Sequence, residues 1–584
     1  MKCLYCVILA SLLAGWSCSA DPSGKAEFPA DRDPEEVRVV LKSEPPTLNP
    51  LLSVQSITRY VAEQIFQTLN HQNAITYNLD PELASLPVVE TLPDGRLSYT
   101  YQLDSLARWP NGSRVTAADV IFSLKAMLNP LVDAGPYRPY YKMISDVEIL
   151  SADSLDFRVL TERPYLLTLQ ALGDLYVFPR YAYDPKNLLG DLPLTVLTRP
   201  TESDNPAQWE ERMRRFADDF NSPARGYDPD LVVGSGPYEL RSWEAGQRIE
   251  LELRDDYWGK HRAEDYMVGV PKLLSFDIMS DNMTTANALR DQLVDVVVDM
   301  PTAQYLQLRD ESYLSSLYDF VSVPSLRYYS ILFNQDDPLL QDSLTRRAFA
   351  HLVDVDRIMQ RFFPDLAQRV TGPVLPTKSY YNADLAPLTY DPARARRLLA
   401  EAGWSDSDGD NILDREVNGE LQVLRFTLLS YPNPTSEGVS ILLQEAAREV
   451  GADIQIQKQE GRTLIDRLDE GKFTASFYGL GFEPSPDDFS QLWASTAVPP
   501  GGTNRGNFSN PEADSLIRQI AATTDSAARA PLYRRFQEIV YENQPMIFLY
   551  SPRAPLVISK RLDYKLISIA PHLHFNALRV RPTS

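Results

Sequence analysis

The 584-residue chain carries a formal net charge of −22, and this acidity argues against phosphate backbones and anionic lipid surfaces as partners. Hydrophobic residues at 44% and charged residues at 23% describe a globular chain able to bury a real core rather than a disordered one. The length calls for two or three lobes.

Lys2 precedes an apolar run over 3–14 that is too short to span a bilayer and ends in the small residues Gly15, Ser17, Cys18, Ser19 and Ala20, which reads as an export signal. Cys3, Cys6 and Cys18 all lie in or beside it, so the exported body has no cysteine for an internal disulfide. Cys18 resembles the acylated cysteine of bacterial lipoproteins, making 1–18 a lipoprotein-type signal peptide and 19–35 a polar tether. Gly15 and Trp16 depart from the usual pattern and leave cleavage after Ala20 as the alternative. No later stretch offers about 18 consecutive apolar residues, so the membrane would be reached through the lipid alone.

Residues 37–41 alternate as a first strand before the Pro-rich "SEPPTLNP", and a helix is predicted over 58–69 with Val61, Ile65, Phe66 and Leu69 on one face. Leu97, Tyr99, Tyr101 and Leu103 alternate as a strand, and Thr116 with Asp119 starts a helix striped by Ile121, Leu124 and Leu128. A polar segment over 184–230 carries one helix, and "GSGPYELRSWEAGQRIELELRDDYWG" over 234–259 is a hairpin turning at Ala245-Gly246. Short helices over 284–293 and 301–308, strand-like "FVSVPSLRYYSILFN", and a helix begun by Asp391-Pro392 and ended by Gly403 complete a mixed α/β chain without a repeat.

Catalytic signatures are missing: there is no GxSxG, HExxH, Walker A or GxGxxG, and paired acids such as Asp487-Asp488 read as solvated. His572-x-His574 reads as packing on a strand-like tail rather than as two metal ligands. In "DSDGDNILDRE", Asp406, Asp408, Asp410 and Asp414 follow the spacing of a calcium loop, but Val417 stands where the bidentate Glu is needed. An acidic hairpin turn is the expectation, with a structural calcium ion as the alternative and no other cofactor.

Six blocks in order, "EPPTLNP", "DPELASLPVVETLPDGRLSYTYQL", "WPNGSRVTAADVIFS", the hairpin above, "ILFNQDDPLLQDSLTRRAFAHLVDVDRIM" and "YDPARARRLLAEAGWSDSDGD", resemble the bacterial extracellular solute-binding proteins of family 5, the dipeptide and oligopeptide receptors of ABC importers. The resemblance implies a periplasmic-binding-protein-like class II α/β fold of two lobes about a hinge with an extra subdomain. By analogy the first lobe comprises 36–70, 231–326 and 551–584, the extra subdomain 71–230, and the second lobe 327–550. It implies a monomer, exported to the cell envelope, that captures peptides for a membrane permease without chemistry; another solute, such as an oligosaccharide or metal complex, is the alternative.

The resemblance also nominates residues. In "YGLGFEPSPDDF" Gly479 and Leu480 precede Glu483, the candidate acceptor of a peptide's terminal ammonium, with Asp487 as runner-up. Tyr137 falls where the peptide receptors set a Tyr against the ligand backbone, Arg327 near the hinge where it can receive a ligand carboxylate, and Val54 and Ser56 where ligand-contacting backbone is expected. Gly461 stands where a pocket Trp is usual.

Overall fold

The computed structural model describes residues 35–198, 206–417 and 419–581. The predicted signal peptide, its lipidation site Cys18 and the tether up to residue 34 lie outside them.

The first alternating segment forms the strand Glu36–Leu41, whose Val37, Val39, Val40 and Leu41 are all buried. It pairs in parallel with Leu273–Ile278 on one side and Val296–Val297 on the other. The predicted hairpin, Tyr238–Glu244 with Arg248–Leu253, adds antiparallel beyond Leu273–Ile278, and Gly246 at φ +69° closes its turn. On the other side Val296–Val297 pairs with the 14-residue strand Met546–Ser559.

That long strand organises the molecule. Its later half pairs with Tyr318–Pro324 and its earlier half with Arg327–Phe333. Ala475–Gly481, Arg425–Ser430 and Asp453–Lys458 continue outward, so 12 strands belong to one hydrogen-bonded assembly running through both lobes. Between its pairings with Tyr318–Pro324 and Arg327–Phe333 the long strand is stapled to the segment that joins them: Ser325 N and Oγ donate to Pro552 O at 3.2 and 2.6 Å.

Residues 71–230 contain a separate four-stranded antiparallel sheet, Val88–Thr91, Leu97–Gln102, Asp156–Thr161 and Ile144–Ile149. Its core is continuous with that of the first lobe, since Tyr99, Trp109 and Val120 belong to the same buried cluster as Val39, Ile249 and Leu274. The helix Ala117–Leu128 starts on the predicted capping box of Thr116 and Asp119, and Asp391 accepts from Arg394 N at 2.8 Å to start Pro392–Glu401.

One expected element is shorter than predicted. The helix read over 58–69 runs only over Ser56–Ala62. Beyond it the carbonyls that would accept within the helix accept from elsewhere: Gln64 O from Tyr238 N at 3.1 Å, Ile65 O from Gly236 N at 2.8 Å and Gln67 O from Val177 N at 3.1 Å. Tertiary hydrogen bonds replace local ones, while Ile65, Phe66 and Leu69 stay buried as their periodicity indicated.

Candidate functional site

Residues of 56–62 and 71–230 meet residues of 327–550, and Leu166 is buried in the cluster that includes Tyr328 and Phe489. Tyr165, beyond the strand Asp156–Thr161, donates its hydroxyl to Asp488 Oδ2 of the second lobe at 2.7 Å, and Leu166 N donates to Ala521 O at 3.0 Å. Lys378 of the second lobe lies 5.5 Å from the centre of the Tyr77 ring. Between these contacts Arg59 Nη1, on the short helix Ser56–Ala62, faces Glu483 Oε2 at 3.8 Å.

Glu483 is held out from the second lobe by a buried clamp. It follows the strand Ala475–Gly481, and Lys378 donates Nζ to Glu483 O at 2.8 Å and Ser485 O at 2.5 Å. The Lys378 side chain is only 2% exposed and lies 3.6 Å from Asp487 Oδ1. Asp487 N donates to the Tyr380 hydroxyl and Asp487 O accepts from the Tyr533 hydroxyl, which pins the far end of the loop. Burial pushes Lys378 down and Asp487 up, each opposed by the other's charge. Glu483, by contrast, has 74% of its side-chain surface open. Of the two acids the sequence nominates, Glu483 is therefore exposed and faces Arg59, whereas Asp487 is turned inward against Lys378.

The other nominated residues are dispersed around this point. Tyr137 donates its hydroxyl to Ser53 O at 2.9 Å, bracing the loop that carries the exposed Val54 and Ser56. Burial raises the Tyr137 phenol, and both Arg59 and Glu483 act on it. Arg327 is exposed at the start of its strand, in register with Gly481. Leu480 packs on the core of the second lobe. A Cβ on Gly479 would lie 2.8 Å from the Tyr329 ring, so that glycine is a packing requirement.

The structure adds residues the sequence did not nominate. Glu63 lies 3.6 Å from Arg59 one turn on, and Asp174 and Tyr176 act electrostatically on the same guanidinium. Burial pushes Asp174 up to about 7, with Glu483 and Glu63 adding and Arg59 opposing, and burial likewise raises Glu63 against the pull of Arg59. The available signal was the pair Arg59 and Glu63, four apart on the face opposite Val61 and Ile65. Asp174 had no comparable signal, since only the tertiary fold brings it here.

Asp406, Asp408 and Asp414 place carboxylate oxygens within 4.8 Å of one another, and Asp410 is not in that group. Each already accepts backbone N–H groups: Asp406 from Gly409 and Asn411, Asp408 from Asp410, and Asp414 from Ser407. Among the described residues no helix is long and apolar enough to cross a membrane.

The family model of the bacterial extracellular solute-binding proteins, family 5 Middle, matches residues 78–500. The chain belongs to this family. Among similar proteins, the family 5 chain is 24% identical over 569 residues to the oligopeptide-binding protein AppA of Bacillus subtilis (strain 168), covering 95% of this chain and 94% of that one. Its fold is similar to the solved structure of AppA in complex with a nonapeptide, with a TM-score of 0.66 at 21% identity over 93% of this chain and 98% of that one. It is also similar to HbpA2 from Haemophilus parasuis, with a TM-score of 0.73 at 18% identity over 94% and 100% of the two chains. The family is one of extracellular solute-binding proteins.

Proposed function

We propose that the protein captures peptides between its lobes and passes them to the permease of an ABC importer, making and breaking no covalent bond. The observation that carries this reading is Glu483, an open carboxylate aimed into the cleft by the Lys378 clamp. A free N-terminal ammonium would replace the loose 3.8 Å contact with Arg59 and gain a charge-assisted hydrogen bond. The rest of the ligand backbone would be held by strand-like hydrogen bonds, with side chains in wet pockets, so that affinity depends little on sequence. AppA, solved with a nonapeptide, supports peptide as the ligand class.

We infer the moving bodies to be 36–70 with 231–326 and 551–584, and 327–550. The subdomain 71–230 would move with the first because their cores are continuous. A lipid on Cys18 would tether the otherwise monomeric receptor to the membrane. Calcium on Asp406, Asp408 and Asp414 would be a structural brace only; the backbone hydrogen bonds they already accept favour a plain acidic turn, and a melting temperature that rises with calcium would reverse that preference.

Glu483→Ala is expected to weaken binding of a peptide with a free N-terminus by about 1 kcal/mol or more, the worth of a charge-assisted hydrogen bond, while its N-acetylated form is little changed. Calorimetric titration of both peptides measures this. Equal losses for the two would remove Glu483 from the anchoring role.

A further inference from the structure

Among the described residues the guanidinium of Arg59, a side chain 35% exposed, donates no hydrogen bond to the protein. A guanidinium offers five N–H groups. Among the described residues its ion-pair partners are Glu63 at 3.6 Å and Glu483 at 3.8 Å, both too far for a hydrogen bond, and its Nε is sealed from the surface without a partner. Two guanidiniums buried more deeply than Arg59 are held by the protein itself. Arg346 donates to the carbonyls of Leu340 and Gln341 at 2.7 Å and of Asn543 at 2.8 Å. Arg415, whose Nε is likewise sealed, pairs with Asp342 at 2.8 Å and donates to Ala402 O at 2.9 Å. A buried donor left unsatisfied needs an explanation, and where two lobes meet the explanation at hand is a group that arrives with the ligand.

We propose that Arg59 receives a carboxylate borne by the ligand's amino-terminal residue, so that Glu483 and Arg59 together select peptides whose head carries an ammonium and a carboxylate side by side. This rests on the peptide reading of the cleft and on Glu483 as the ammonium acceptor. The two protein groups face each other at 3.8 Å from opposite lobes, so a ligand whose ammonium takes Glu483 draws that acid away from Arg59. The guanidinium is then left with Glu63 on its own turn of helix, too far to hydrogen-bond, and with Asp174. A planar carboxylate matches the guanidinium fork with two parallel hydrogen bonds, which neither protein acid supplies. Tyr176, whose phenol feels the same guanidinium charge, adds a polar wall beside it.

Calorimetric titration of the exported chain with three probes decides the matter. Ala-Ala-Ala has no carboxylate at its head, Asp-Ala-Ala has one on the first side chain, and γ-glutamyl-alanyl-glycine has ammonium and carboxylate on one carbon. At least one acidic-headed probe is expected to bind about tenfold or more tighter than Ala-Ala-Ala, as one charge-assisted pair provides. Arg59→Gln should abolish that preference, and Arg59→Lys, which keeps charge without the fork, should retain part of it. Equal affinity of the unmodified protein for all three probes overturns the proposal, and so does a loss in Arg59→Gln shared equally among them. Should the unmodified protein bind none of the three, Ala-Ala-Ala included, the peptide reading itself falls and this proposal with it.

Discussion

Glu82 accepts from Thr68 N at 3.0 Å and from Thr68 Oγ1 at 2.7 Å, yet burial outweighs both donors and pushes its carboxyl up to about 7. An unfolded glutamate titrates near about 4.3. With the folded value above the unfolded one, its stabilising contribution is complete in acid and is lost as pH rises through about 7. Glu82→Gln keeps an acceptor oxygen for Thr68 and removes the titration. The melting temperature of that variant, relative to the parent, is therefore expected to climb between about pH 5 and about pH 8; a flat difference would mean Glu82 is ionised throughout. Burial acts the other way on bases. His71 is pulled down to about 3 and His572 and His574 to about 4, and His71 stacks on Tyr266 at 4.0 Å. His71 and Tyr266 both lie against His574, at 5.5 and 6.4 Å between ring centres.

Among the elements, the G-S-G-P turn explains why the helix over 58–69 stops early. A Cβ on Gly234 would lie 2.1 Å from Ile65 O, and one on Gly236 would lie 2.7 Å from both Gln64 O and Ile65 O. The glycines let one backbone lie against another, and the hydrogen bonds gained there end the helix at Ala62. Gly234→Ala is expected to cost about 2 kcal/mol or more, because a backbone carbonyl cannot yield as a side chain can. Urea unfolding would measure it, and a cost under about 0.5 kcal/mol would mean the turn can move aside. The hairpin after this turn was legible because Ile249 and Leu251 alternate with polar residues. The helix end was not, because it depends on partners more than a hundred residues away.

At the level of the whole molecule, the proposed closure would depend on the contacts that join 71–230 to 327–550. Tyr165→Phe removes the hydroxyl that bonds Asp488 across the cleft and keeps the ring. It is expected to lower peptide affinity about two- to tenfold, the worth of one hydrogen bond, while the melting temperature stays nearly unchanged because neither lobe loses core. Small-angle scattering with and without peptide would show a smaller closed fraction, and identical profiles and affinity would place that contact outside the closing motion.

The chain's own pattern determined the class of fold and several of its strands and helices, because these follow from periodicity, turn chemistry and composition that act over a few neighbours. It also singled out Glu483 through a resemblance of blocks in order. Only the tertiary structure decided that Asp487 faces inward against Lys378 and that Arg59, Glu63 and Asp174 are brought together. Their order along the chain holds no record of which carboxylate water can reach. Burial and charge pairing are set by distant segments, and those settle what each ionisable group is free to hold.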